Sequence, residues 1–202
     1  MGKDLATLFS AKIAAFIRKY PRLNVTILSK PSTEAISMIS AGDVDVGVTR
    51  LPKVPRGLHR KPLIESKLYL IFPATHPFAN RRKISLAEIA QSRLILHANG
   101  QVTRERVDST FARHGVELEN FVEVVTCEAI LNYVRLGVGV GFVHDSCLPV
   151  QRDRSILWRE MTAKFGTLDV SIVYKRSMVI TPACGALIDA LAPSYVVGKG
   201  GD

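Results

Sequence analysis

Little in this chain speaks for metal, redox or cofactor chemistry. It has three cysteines, Cys127, Cys147 and Cys184, far apart and odd in number, with no CxxC pair and no Cys/His cluster. That spacing argues against a zinc site and against a disulfide framework, and reads as buried, inert thiols. The five histidines, His59, His76, His97, His114 and His144, never recur at metal-ligand spacing, and no HExxH or GxSxG occurs. Neither a metal nor a cofactor is expected. The nearest acid–base candidates are His144 beside Asp145 and His97 with Cys127. Neighbouring strand residues point to opposite faces, so His144 and Asp145 read as a loop pair. No catalytic residue is assigned.

Also missing is any apolar run near the roughly 18–20 residues that a membrane span needs. No signal-peptide pattern opens the chain, since residues 3–20 mix Lys and Arg through an amphipathic repeat. The expectation is a cytoplasmic protein without a membrane partner. Nor are basic residues gathered with aromatics. Lys and Arg exceed Asp and Glu by 27 to 18, giving +9, but they are scattered and there is one tryptophan. A solvated basic surface accounts for that charge without direct nucleic-acid binding.

What is present is an apolar chain with alternating patterns. At 202 residues and 47% apolar it can bury a full core. Helical and extended stretches alternate, which marks an α/β fold. Leu5, Leu8, Phe9, Ile13, Phe16 and Ile17 recur at helical spacing until Pro21. Leu23, Val25 and Ile27 alternate as a strand. Ser32 or Thr33 is expected to cap a helix that ends before Gly42. Val44, Val46 and Val48 read as a strand, and 50–61 as an irregular link. Further strands are expected at 68–72, 94–96, 122–125, 156–158 and 168–174. Helices are expected after the Ser85–Glu88 capping box, from Thr103 to Gly115, over 128–136, and from Pro182 to Leu191. Gly198–Asp202 reads as a frayed tail.

The run YVRLGVGVGFV, residues 133–143, places Gly137, Gly139 and Gly141 at alternate positions. A phosphate-binding loop needs strand, Gly-rich turn, then helix. Here the helix comes first. Gly137 therefore reads as the helix C-cap, and Gly139 with Gly141 as a bare sheet face that something approaches closely.

This run resembles the helix–strand segment of the effector-binding domain of LysR-type transcriptional regulators. FIRKYPRLNVTI, AGDVDVGVT, LYLIFPATHPFA and ISLAEIAQSRLIL resemble further segments of that family in the same order, over about residues 5–192. The Tyr-Val-Arg-Leu-Gly wording leans toward the branch that regulates sulfur assimilation. The resemblance implies a periplasmic-binding-protein type II-like fold: two Rossmann-like lobes joined by two crossover strands. Lobe I would be 1–69 plus 170–202, and lobe II 70–169, with crossings near Leu70–Pro73 and Leu168–Val170. A small effector, a carboxylate or other anion, would bind between the lobes at the carboxyl ends of strands. The groups at such ends are Ser32, Thr33, Thr49, Arg50, His97, Asn99, Gln101, Thr103 and Thr126. Arg50 could fork onto an anion. The family often carries Ser/Thr where this chain has Val102, which makes Thr103 either shifted or uninvolved.

The resemblance further implies self-association as a dimer or tetramer, with helix 5–20 as an interface. DNA would be contacted only through an N-terminal winged helix-turn-helix absent from this chain. The family's domain also opens with a strand ahead of the first helix, whereas this chain starts inside the helix, which leaves a sheet edge exposed or filled by something else. The rival expectation is a free-standing solute-binding protein of a transport system.

Overall fold

The computed structural model describes residues 3–51, 53–149 and 153–192. In chain order the elements are α1 (Lys3–Leu8), α2 (Ser10–Lys19), α3 (Ser32–Ala41), β1 (Gly47–Arg50), β2 (Leu58–Ser66), β3 (Leu68–Pro73), α4 (Leu86–Ala90) and β4 (Leu94–His97). There follow α5 (Val102–Arg113), β5 (Phe121–Val124), α6 (Cys127–Arg135), β6 (Val140–His144), β7 (Ile156–Glu160), α7 (Thr162–Phe165), β8 (Leu168–Lys175) and α8 (Pro182–Leu191). The expected tail 198–202 lies outside the described residues. No helix among the described residues is long and apolar enough to cross a membrane.

The chain forms two compact units. One holds the described residues up to Ile64 and from Asp169 onward; the other is Glu65–Leu168. The chain passes from one to the other inside β2 and again inside β8.

The first unit is built on a three-stranded sheet of order β1-β8-β2. β1 pairs antiparallel with β8, with Thr49 opposite Ser171 and Arg50 opposite Val170. The apolar stripe of α1 and α2 supplies Leu5, Phe9 and Ile13, which pack on Val48, Val170, Ile172 and Leu191. That leaves Leu8 and Ile17 as the large apolar residues exposed on these helices.

Two strand readings change here. The residues 50–61 are not all irregular, because β2 begins at Leu58. Residues 23–27 form no strand, although their apolar side chains alternate. A strand needs a neighbour to take its backbone hydrogen bonds. This segment instead faces the outer edge of β1 across a groove of about 520 Å³, lined by Val25, Ile27, Ile39, Val46 and Leu187. Leu23, Val25 and Ile27 stay exposed as a result.

The second unit carries a five-stranded sheet of order β5-β4-β6-β3-β7. β4 runs parallel to β5 and β6, while β3 is antiparallel to β6 and β7. Period two splits its side chains between two cores. Leu70, Phe72, Leu94, Leu96, Val140 and Phe142 pack with α4, α5 and α7 on one face. Ile71, Ile95 and Val143 pack with α6 on the other. Both faces are covered, as parallel strands require.

The glycine run behaves as its order implies. Gly137 has φ +73°, and its amide bonds to the Val134 carbonyl while the Val138 amide bonds to that of Tyr133. This is the left-handed turn that closes a helix. A Cβ on Gly141 would lie 2.4 Å from Ile130 Cγ2, so the bare face is where α6 lies down on β6. The Ser85–Glu88 capping box and Pro182 at the start of α8 also stand as read.

Asp153 joins α6 to the chain ahead of β7. It accepts from Arg135 Nε (2.7 Å), Ser155 Oγ (2.6 Å) and the Ser155 amide (2.9 Å). The Ser155 hydroxyl and the Arg135 guanidinium hold its carboxyl down at about 2. The folded carboxyl thus binds its proton less readily than the unfolded one, whose value is near 3.9. Its contribution to stability is present above that value and is lost as pH falls toward 2. Carboxyl-detected NMR titration should place its midpoint near 2; a midpoint at the ordinary value would contradict the bonding described.

Candidate functional site

Each unit brings part of the expected polar set together. In the first, β1 and α3 meet at Thr49 and Ser32. Thr49 donates through Oγ1 to Ser32 Oγ at 2.7 Å. Within this pair, then, the proton left for a ligand is that of Ser32. Thr49 is buried, Ser32 half-buried and Thr33 exposed on the same first turn. Neither Ser32 nor Thr33 is the cap. Pro31 takes that place, in extended conformation and without a side-chain bond, because α3 starts one residue earlier than expected. The amides of Ser32, Thr33 and Glu34 accordingly lack intrahelical acceptors, which favours an anion there. The Glu34 carboxylate on the same turn is held by Lys30 Nζ at 2.7 Å.

Arg50 does not follow its strand; it is the last residue of β1 and is 7% exposed. Its guanidinium NH1 is 2.7 Å from the Asp4 carboxylate. The charge read as an anion fork is therefore already balanced by a partner on α1. Nothing in the spacing of Asp4 and Arg50 marks the pair; only the packing of α1 on the sheet makes it.

In the second unit, His97 ends β4 and is buried. Asn99 is exposed in the turn that follows, beside Gly100 at φ +78°. Gln101 stands at the N-cap of α5, but its side chain reaches away and donates to the Val125 carbonyl at 3.1 Å. This joins the loop after β4 to the loop after β5. Thr126 caps α6, accepting from the Ala129 amide at 3.2 Å. Its oxygen is used by the helix, and its proton remains to donate.

Thr103 is tied inward. Its Oγ1 lies 3.0 Å from His144 Nε2. His144 Nδ1 lies 3.1 Å from Ser66 Oγ and 3.3 Å from the Lys67 carbonyl. Ser66 donates to Asp145 Oδ1 at 2.8 Å. These partners assign the tautomer: Nδ1 carries the proton and Nε2 accepts from the Thr103 hydroxyl. Thr103 therefore has lone pairs for a ligand but no proton, which suits a donor rather than a carboxylate. His144 and Asp145 share Ser66 rather than pairing directly. Thr103, His144 and Ser66 are buried, with Ser66 at 0% and His144 at 2% exposure, while Asp145 is half-buried. Ser66→Ala should cost about 2 kcal/mol by leaving His144 and Asp145 short of a partner. Urea unfolding measures it; a change below about 0.5 kcal/mol would contradict the network.

One residue went unread in the sequence and one pair was misread. Arg104, 6% exposed, chelates Asp108 through Nε at 2.9 Å to both oxygens, holds the His97 carbonyl at 3.1 Å through NH1, and pairs with Glu123. It fixes the end of β4 against α5 and β5. The i,i+4 spacing to Asp108 was the available signal. Cys127 and Cys147 were read as inert thiols, yet they form a disulfide, with Cα atoms 6.1 Å apart. β5 and β6 flank β4, and that arrangement brings the residues after each strand together. Among the described residues no group of three His, Cys, Asp or Glu side chains is placed to hold a metal ion.

The model of the LysR substrate binding domain matches residues 5–195. The chain belongs to that family. The HTH-type transcriptional regulator CysB of Burkholderia cenocepacia is 25% identical over 185 residues, covering 91% of this chain and 59% of that protein. The chain thus spans little more than half the length of this curated relative. Among solved structures, the cofactor-binding domain of the Cbl transcriptional regulator matches with TM-score 0.81 at 22% identity, covering 91% of this chain and 81% of that one. The Synechocystis PCC6803 CcmR regulatory domain, solved in complex with 2-PG, matches with TM-score 0.84 at 19% identity, covering 93% and 91%. At these identities the solved structures speak for the fold alone, and the fold of this LysR substrate binding domain is periplasmic-binding-protein type II-like.

Proposed function

We propose that this LysR substrate binding domain is the effector-sensing part of a transcriptional regulator, and that it binds a small anionic metabolite without transforming it. The match over residues 5–195 carries the reading. It is supported by the curated relative, which is an HTH-type transcriptional regulator. It is supported too by the CcmR regulatory domain, which was solved with a small molecule bound. Contact with DNA, on this reading, belongs to sequence outside these 202 residues. Cytoplasmic location and self-association as a dimer or tetramer are part of the same proposal, with Leu8 and Ile17 as the apolar residues that α1 and α2 offer a second copy.

The candidate effector contacts are those of the two lobes proposed from sequence, 1–69 plus 170–202 and 70–169. In the first, Ser32 and the uncapped amides of α3 favour an anion. In the second, Thr126 can donate, Asn99 is exposed, and Thr103 accepts. Arg50 contributes by steadying Thr49 and the sheet end through Asp4, and His97 and Gln101 by shaping the loops.

Calorimetric titration with a panel of small carboxylates tests the reading. Ser32→Ala should weaken the best binder about tenfold, the loss of one hydrogen bond to a charged group, and Thr49→Ala, which removes the donor that orients the Ser32 hydroxyl, should weaken it by a smaller factor. Unchanged affinity in both variants would remove the anion site from the first lobe.

A further inference from the structure

Cys127 and Cys147 are twenty residues apart in sequence and bonded in the second unit. Their surroundings differ from those of a purely structural crosslink in three ways. First, Cys127 is the first residue of the nine-residue α6, whose first-turn amides stabilise a thiolate. Second, His97 Nε2 lies 3.7 Å from Cys127 Sγ, where it can take a thiol proton. Third, the two sulfurs are unequally placed: Cys127 is half-buried, while Cys147, in the short 3-10 turn after β6, is buried at 9%. A small reagent therefore reaches Cys127 first, and Cys147 stands behind it as the second sulfur.

We propose that Cys127 and Cys147 are a reversible thiol–disulfide pair, closed and opened by exchange with low-molecular-weight disulfides and thiols. In the closing direction, Cys127 gives its proton to His97 and attacks one sulfur of a small disulfide. That S–S bond breaks, one thiolate leaves, and a mixed disulfide stands on Cys127. Cys147, losing its proton to solvent, then attacks Cys127 Sγ and expels the second thiolate. The two cysteines lose two electrons, and the small disulfide becomes two thiols. Opening is the reverse. The bond ties the first turn of α6, and with it Thr126, to the turn that follows β6. Its redox state thus sets how firmly Thr126 is held. The exchange chemistry stands apart from the effector reading; only this consequence for Thr126 rests on it.

The test uses the 202-residue chain unaltered. It is equilibrated natively across ratios of reduced to oxidised glutathione, quenched with acid, alkylated and mapped by mass spectrometry. Alkylation of Cys127 and Cys147 should appear and vanish together, with a midpoint inside the range of ratios, while Cys184 is alkylated throughout. Two thiols that stay open at the most oxidising ratio would overturn the pair. A bond that stays closed at the most reducing ratio would overturn its reversibility. On the reduced chain, Cys127 should alkylate roughly tenfold faster than Cys184 at neutral pH, reaching half its maximal rate below the ordinary thiol value of about 8.5. A rate equal to that of Cys184, with an ordinary pH midpoint, would overturn the activation by His97 and α6. Should His97→Asn fold, it should remove most of that rate advantage; a variant that keeps it contradicts the role of His97.

Discussion

Phe142→Ala should destabilise the second unit by about 4 kcal/mol, within the range for aromatic truncations in packed cores. Phe142 is 1% exposed on β6. It meets Phe165 of α7 at 5.0 Å between ring centroids and Phe111 of α5 edge-on at 6.1 Å. No single element of this face of the sheet can close over the space if the ring is removed, because α5 is held by Arg104 to the end of β4. Loss of the ring removes both its transfer energy and its contacts, and leaves a cavity. A total stability of about 5–15 kcal/mol is usual for a domain, so the change consumes a large part of it. Urea denaturation followed by circular dichroism checks the value. Val179→Ala, at a residue 84% exposed, serves as the control and should stay within about 0.5 kcal/mol of the parent chain. A Phe142→Ala loss below about 2 kcal/mol would contradict the packing.

Gly139→Ala should cost about 3 kcal/mol, for a different reason. A Cβ built there lies 2.2 Å from the Arg93 carbonyl oxygen and 3.0 Å from its carbon. The obstacle is backbone and has no rotamer to change. The same carbonyl accepts the Val140 amide at 2.9 Å, so moving it away strains the start of β6. Overpacking of this kind is costly even where side chains can yield. Gly115→Ala separates space from conformation. Gly115 sits at φ +66° with nothing within 4 Å of a Cβ, so only the left-handed backbone is penalised, by about 1 kcal/mol. If the two variants lose stability equally, the close approach at Gly139 is not what fixes that residue.

The elements that could be read from the chain were those whose signal is local. The Ser85–Glu88 box, Pro182, Gly137 and the alternation through β6 each act within a few residues, and the structure keeps them. Alternation at 23–27 failed because it reports faces and not partners; among the described residues no neighbouring strand pairs with this segment. The cap at Ser32 failed because Pro31, which bonds no amide through its side chain, was still able to start the helix. The site was legible only as a set of strand ends. Which polar atoms are already committed depends on residues distant in sequence. Asp4 takes Arg50, His144 takes the Thr103 proton, and Cys147 takes Cys127. Spacing along one chain carries no distance between such groups, and without the order of the strands none of these pairings could be drawn.

The claim beneath the functional reading is that a small anion settles on the Ser32–Thr49 corner and leaves unchanged. Amide NMR during titration with small carboxylates observes both halves of it, protein and ligand together. The account predicts saturable shifts at Ser32, Thr33 and Thr49 with at least one carboxylate, while the ligand's own resonances persist. Shifts that never reach those amides, or ligand signals that convert into those of a product, would contradict it.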